Sequence, residues 1–304
     1  MKAKTMRTFL SLTARDTKLF FKDKGSFFSS LITPVILLVL YATFLLRIYQ
    51  NSFKSGIPPQ AKVPESTITA LSSSQMISSL LAVSCITITF TSSLLIVKDR
   101  ASHRINDLTV TPIRMLTLGA AYFASSFLAS MIVNGLALIA SLIYLHASSV
   151  PITASMVAWI LVDVVVLTLF GTAMATALTI WLNTQGQATA VGSIVNAGYG
   201  FICGAYMPFA SYSPGLQKVC SYLPSTYATT VIRQHVMGSS IDLLKKAGLP
   251  TSALDSIKEG ISFTVSFQGN PVPTDVMYGV LVGFSLVFLL IFILGTRLRG
   301  AAQR

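Results

Sequence analysis

Charge is what this sequence has least of. Only 11% of its 304 residues are Asp, Glu, Lys or Arg, and acids are the scarcer kind, 10 against 22 bases. A soluble domain carries about 25% charged residues, and so few could not cover the apolar surface of a chain this long. A soluble enzyme and a disordered protein are both excluded. Cysteine is scarce too: Cys85, Cys203 and Cys220 are odd in number and lack C-x-x-C spacing, so neither a disulfide framework nor a zinc site is indicated. The phosphate-cradling G-x-x-x-x-G-K-[ST] loop is missing, as are H-E-x-x-H, G-x-S-x-G and a G-x-G-x-x-G after a strand. His103, His146 and His235 are scattered over what read as three loops. No catalytic residue and no metal site is expected, nor any cofactor bound by this chain. Apolar–polar alternation is also lacking, as in the almost wholly apolar run Val280–Leu294, which argues against a β-barrel.

What is present is apolar: 53% hydrophobic residues and a mean hydropathy of +0.70. About 20 such residues cross the hydrocarbon as a helix. Six segments qualify, at about 26–46, 71–97, 116–145, 152–180, 187–208 and 276–296. The expected fold is an all-α integral membrane protein, six transmembrane helices in one domain over 1–304. The second segment is rich in Ser and Thr, whose hydroxyls bond their own helix or a neighbour and whose small size lets helices approach. It is expected to face protein or a pathway rather than lipid. Six crossings put both termini on one side. That side carries fourteen of the 22 Lys and Arg, in 1–25, 98–114 and 297–304, and the other side eight over many more residues. By the positive-inside rule both termini are cytoplasmic, in a multi-pass protein of the cell membrane. The net charge of +12 then means contact with membrane lipids, not nucleic acid.

Residues 1–25 read as an amphipathic helix lying in the membrane interface. Met6, Phe9, Leu10, Thr13, Thr17, Phe20 and Phe21 recur at three- and four-residue steps, with the cations mostly elsewhere. Between spans two and three, Lys98–Met115 is too polar to cross and too long for a plain turn. Asp107–Val110 reads as one short helix stopped ahead of Thr111-Pro112, since the residue before proline avoids the α region. A short helix on a loop is a suitable part for touching another protein. Residues 209–275 form an external helical loop expected to act as a lid. Ser213-Pro214 opens a helix there that Pro224 ends. A second runs from about Thr226 to Gly238, followed by short helices at 240–247 and 252–259, where Ser252 and Asp255 have capping-box spacing.

The order of these parts resembles the ABC-2 type permeases. Asp99-Arg100 after span two, Thr111-Pro112 before span three, Met207-Pro208 after span five, and then Pro224-Ser225-Thr226-Tyr227 with Arg233 match degenerate elements of that family. Asp99 stands where members usually carry glutamate. The likeness runs over essentially the whole chain. It implies the transmembrane subunit of an ABC exporter of the drug or bacteriocin branch, moving an amphipathic drug, peptide or lipid. It also implies two ABC ATP-binding subunits, which would hold ATP and Mg, and a second permease subunit forming a homodimer. Asp99, Arg100, Asp107, Leu108, Val110, Thr111, Pro112 and Arg114 would couple to the ATPase, which the N-terminal helix would also touch. Pro208, Pro224, Tyr227 and Arg233 would form an outer gate, and span five would break near Gly198, Gly200 and Gly204. An ATP-independent secondary transporter or channel is the alternative, although such proteins usually carry ionisable relays inside their spans and often inverted repeats. Here one acid stands well inside a span, Asp163, and there is no repeat. That acid would be protonated and buried, face a hydrated cavity, or pair with a group on another span, for which Arg47 is the candidate partner.

Overall fold

The structure, a computed structural model, describes residues 2–58, 63–109, 113–206, 212–267 and 270–302. In chain order its helices are α1 (Lys2–Lys22), α2 (Lys24–Gly56), α3 (Glu65–Ala101), α4 (Arg104–Thr109), α5 (Met115–Ala147) and α6 (Ala154–Thr179). They continue as α7 (Gln185–Ile202), α8 (Pro214–Ser221), α9 (Pro224–Lys246), α10 (Thr251–Gly260) and α11 (Thr274–Ala302). A small antiparallel pairing, β1 (Ser266–Phe267) with β2 (Asn270–Pro271), precedes α11. Helices α2, α3, α5, α6 and α11 are long and apolar enough to cross a membrane. The remaining expected span, 187–208, is the shorter α7. Its 18 residues rise about 27 Å, and Gln185, Gln187, Asn196 and four glycines dilute its apolar content. It therefore falls short of the other five by composition.

The hub is α3. Of its most apolar stretch 89% is buried inside the protein, against 22% for α2 and for α11, so it faces protein. Its hydroxyls explain how a polar helix tolerates this. Ser72, Ser74, Thr87, Thr89 and Thr91 donate to carbonyls one turn back. Ser92 also meets Ser130 of α5, and Ser74 meets Ser240 of α9, each at 2.8 Å. Small residues bring α6 close as well. A Cβ on Gly171 would lie 2.5 Å from Thr89 Oγ1 and 3.1 Å from the Cys85 carbonyl, so the contact requires glycine.

The segment 209–275 departs most from its sequence reading. The helix expected to stop at Gly238 runs unbroken to Lys246 and absorbs the short helix expected after it. A glycine inside a helix costs about 1 kcal/mol, and burial of Met237, Ser240, Ile241 and Leu244 on its flanks outweighs that. Pro224 opens α9 rather than ending α8, whose last residue is Ser221. The third helix, α10, starts after Pro250 without a side-chain cap, so no Ser252–Asp255 box forms. Most of this segment is also not a lid. Ser240 meets Ser74 and Arg233 meets Ser79, so α9 runs antiparallel along α3. Ser79 is fourteen positions beyond Glu65 where α3 begins, about 21 Å by helical rise. Helix α9 therefore re-enters the bundle. Its small and hydroxylated residues, Ser225, Thr226, Ala228, Thr229 and Thr230, are buried and allow that close approach.

Helix α1 packs on α5. Leu12, Thr13, Asp16 and Phe20 are buried, whereas Met6 and Leu10 are exposed. Phe9 joins a cluster with Leu12, Ile96, Val97, Ile105, Leu118 and Tyr122. Phe20 and Phe21 pack with Ile88, Ala129 and Val133. The expected lipid-facing stripe is thus divided: Phe9, Phe20 and Phe21 face protein, because the small residues of α5 leave room for them there.

Candidate functional site

At the end of the bundle where both terminal helices lie, the chain reverses between α3 and α4 through His103, which takes a left-handed φ of 60°. Three consecutive charged residues fasten this elbow. Lys98 Nζ donates to Asp23 Oδ2 at 2.7 Å and also meets Ser26, tying the α1–α2 junction to α3. Asp99 is fully buried. Its Oδ2 accepts from the Tyr122 hydroxyl at 2.7 Å, and Arg15 and Arg104 stand 3.7 and 3.9 Å away. Arg100 turns the other way. Its Nη1 donates to the carbonyls of Thr179, Ile180 and Leu182 at 2.9, 3.1 and 2.9 Å, neutralising the carbonyl-rich end of α6. Asp99 and Arg100 are therefore inward fasteners. Asp107 and Arg114 are exposed, and Leu108 is half-buried against the apolar cluster beneath the elbow. Val110, Thr111 and Pro112 lie outside the described residues.

Beside Asp99 sits a second carboxylate that the sequence reading passed over. Asp16 is buried, accepts from Arg15 at 3.0 Å, and leaves Oδ2 without a hydrogen-bond partner among the described residues. Burial pushes its carboxyl up to about 7, with the Arg15 guanidinium opposing the rise and Asp99 adding to it. A signal existed: Asp16 is the single acid of α1 and stands on the same stripe as Thr13 and Phe20. Seven residues on, hydrogen bonds from Lys98 and Ser26 hold the exposed Asp23 down to about 2.

Deeper in the bundle, Asp163 of α6 is fully buried. Its partners are His235 of α9, with Nδ1 2.7 Å from Oδ2, and Tyr278 of α11, whose hydroxyl donates to Oδ1. The His235 ring stacks on Trp159 at 5.2 Å. Arg47, the candidate partner, is exposed instead. One carboxylate thus joins two spans and the re-entrant helix. Sequence spacing could not show this, because His235 reads as part of a loop outside the bilayer and lies in α9.

Two residues earlier, Arg233 is 1% exposed and, among the described residues, meets no carboxylate. Its guanidinium donates to the carbonyls of Ile261 and Gly204 at 2.7 and 3.2 Å and to Ser79 Oγ at 3.4 Å. Gly204 follows the end of α7 and has φ of 69°, so the arginine clasps the broken end of that helix. Tyr227 donates to the Ser221 carbonyl at 2.6 Å and closes the α8–α9 hairpin, and Pro224 is buried at its bend. Pro208 lies outside the described residues.

The sequence model of one family, ABC-2 type transporter, matches residues 7–237. That range takes in α1 from Arg7 onward, the elbow, Asp163, Arg233 and His235. A search among curated proteins gave no match. With most of its length matched, and with a helical bundle built around apolar spans, the chain belongs to the ABC-2 type transporter family.

Proposed function

We propose that this chain is the permease subunit of an ATP-driven exporter and works as a homodimer. Each copy would dock an ATP-binding subunit at the end that carries both termini, on the cytoplasmic side of the cell membrane. Membership of the family implies an ATP-binding partner. The observation that carries the reading is the elbow. Helix α4 is exposed at Asp107, while Asp99 and Arg100 at its base engage α1, α5 and α6. A push on α4 by closing ATPases would therefore reach three helices at once. Those helices lead to Asp163 and the re-entrant α9, which with Arg233 and Tyr227 would form the outer gate. The pathway would run between the copies and take an amphipathic drug, peptide or lipid.

The test is reconstitution with the ATP-binding subunit. Asp107→Arg should cut cargo-stimulated ATP hydrolysis roughly tenfold, as a misplaced interfacial charge does, with the melting temperature unchanged. ATP-dependent cargo uptake into inside-out vesicles fixes the direction. Uptake that ignores ATP and follows the proton gradient would replace this reading with a secondary transporter, the class that a buried Asp163–His235 pair favours.

A further inference from the structure

A cavity of about 50 Å³ lies behind the elbow, lined by Arg100 of α3, Ile105 of α4, Met115, Leu118 and Tyr122 of α5, and Arg299 of α11, among others. Its walls are apolar apart from the two guanidiniums, Tyr122 and Thr296, and among the described residues no acid lines it. The Tyr122 hydroxyl is already committed to Asp99, and Asp99 itself faces α1 and α5 rather than the cavity. Arg100 spends Nη1 on the end of α6 and Arg299 spends Nη1 on the Asn183 side chain at 2.8 Å. Among the described residues neither arginine pairs with a carboxylate. Two like charges sharing one mostly apolar hollow repel each other, and an anion between them removes that repulsion. The level of the hollow matters equally. Arg100 is in the last turn of α3 and Arg299 in the last turn of α11, where apolar spans give way to the headgroup layer. A basic pocket between spans at that depth matches a lipid phosphate, and the guanidinium fork suits phosphate oxygens.

We propose that this cavity is a binding site for the phosphate of an anionic phospholipid, held by Arg100 and Arg299, with the glycerol end of the lipid over Ile105, Met115 and Leu118. The bound lipid would brace the elbow against α11, two parts that share no direct ion pair among the described residues.

Native mass spectrometry of the full chain in mild detergent tests this, titrated separately with phosphatidylglycerol, phosphatidylcholine and inorganic phosphate. Arg299→Gln is the probe, since Arg100 also caps α6; Arg297→Gln, an exposed cation outside the lining, is the control. Wild type should retain phosphatidylglycerol in preference to phosphatidylcholine. Arg299→Gln should weaken that retention about tenfold, the loss of one charge-assisted contact, while Arg297→Gln leaves it in place and both variants melt like wild type. Equal retention of the two lipids, or equal loss in both variants, would overturn the site. Inorganic phosphate displacing the lipid at matched concentration would overturn the lipid assignment in favour of a free-anion site. Displacement of lipid by the ATP-binding subunit would make the cavity a protein contact instead.

Discussion

The two ends of the bundle bury charge differently. At the elbow, Asp99 has two cations whose side chains still reach solvent, Arg15 at 36% and Arg104 at 62% exposure, and both stand beyond hydrogen-bond reach. In the other half, Asp163 is met by a histidine and a tyrosine, and Arg233 by three carbonyls and a serine, all at hydrogen-bond distance. Long, wet ion pairs are weak and reform easily. A fully buried charge loses several kcal/mol when a close partner is withdrawn. The ion pairs of Asp99 are therefore the adjustable contacts of the elbow, beside the Tyr122 hydrogen bond and the Arg100 clasp on α6, and the Asp163–Arg233 region is a lock that keeps α9 inside the bundle.

Asp163→Ala should do the most damage. It removes the carboxylate that meets the His235 ring nitrogen and the Tyr278 hydroxyl, both on half-buried side chains, and the expected loss is about 1–3 kcal/mol for each stranded group, read as a lowered melting temperature and a poor yield of folded protein. Asp163→Asn keeps the shape and one acceptor oxygen and should lose clearly less. Equal damage from the two would mean that charge, not hydrogen bonding, locks α9, and the contrast between the ends would fail.

Next in size is Gly171→Ala. The added methyl meets Thr89 Oγ1 and the Cys85 carbonyl of α3, and overpacking of this kind costs about 1–3 kcal/mol. Gly135→Ala in α5, where a Cβ would meet nothing within 4 Å, is the control and should be neutral or slightly stabilising. Thermal unfolding of the two in one detergent separates close packing from helix propensity.

Five of the six expected spans were legible, because an apolar run of span length allows few other structures. The elbow was legible as a position, although its short helix opens at Arg104, three residues ahead of the expected Asp107. That Asp99 and Arg100 face opposite ways was not, since adjacent residues in a helix end differ in direction by about 100° and only the packed neighbours decide which is buried against what. Helix α9 was read as a helix but too short and outside the bundle, for a physical reason. A segment with Arg233, Gln234 and His235 has the composition of an exposed loop, and its burial depends on acceptors supplied by residues as distant as Gly204 and Ile261.

Asp16→Asn addresses the adjustable end through pH. The folded value of about 7 lies above the ordinary 3.8, so ionised Asp16 opposes the docking of α1. That penalty is full above pH 7 and fades as pH falls from 7 toward 4. Wild type should become more stable as pH falls from about 8 to about 6, and Asp16→Asn should flatten that rise while matching wild type at the acid end. Hydrogen exchange of α1 amides across the same range reads the effect locally. An unchanged profile in the variant would assign the rise to another group.

The smallest effect is expected at Lys98–Asp23, where the sign reverses. Asp23 is held down to about 2, so its contribution is present above the ordinary 3.8 and is lost as pH falls toward 2. The two side chains are 35% and 44% exposed, and such a pair contributes about 0–1 kcal/mol. Lys98→Gln should therefore lower stability only slightly. The difference from wild type should vanish in about 1 M salt, where the Debye length is ~3 Å. Asp23→Ala should cost more, about 1 kcal/mol, because the carboxylate also caps α2 through the Ser26 amide at 3.2 Å. That extra cost should survive the salt, since a cap is a hydrogen bond rather than a long-range charge effect. A Lys98→Gln loss that persists in salt would mean that the elbow pairs are dry, and the terminal end would then be as firmly locked as the region around Asp163.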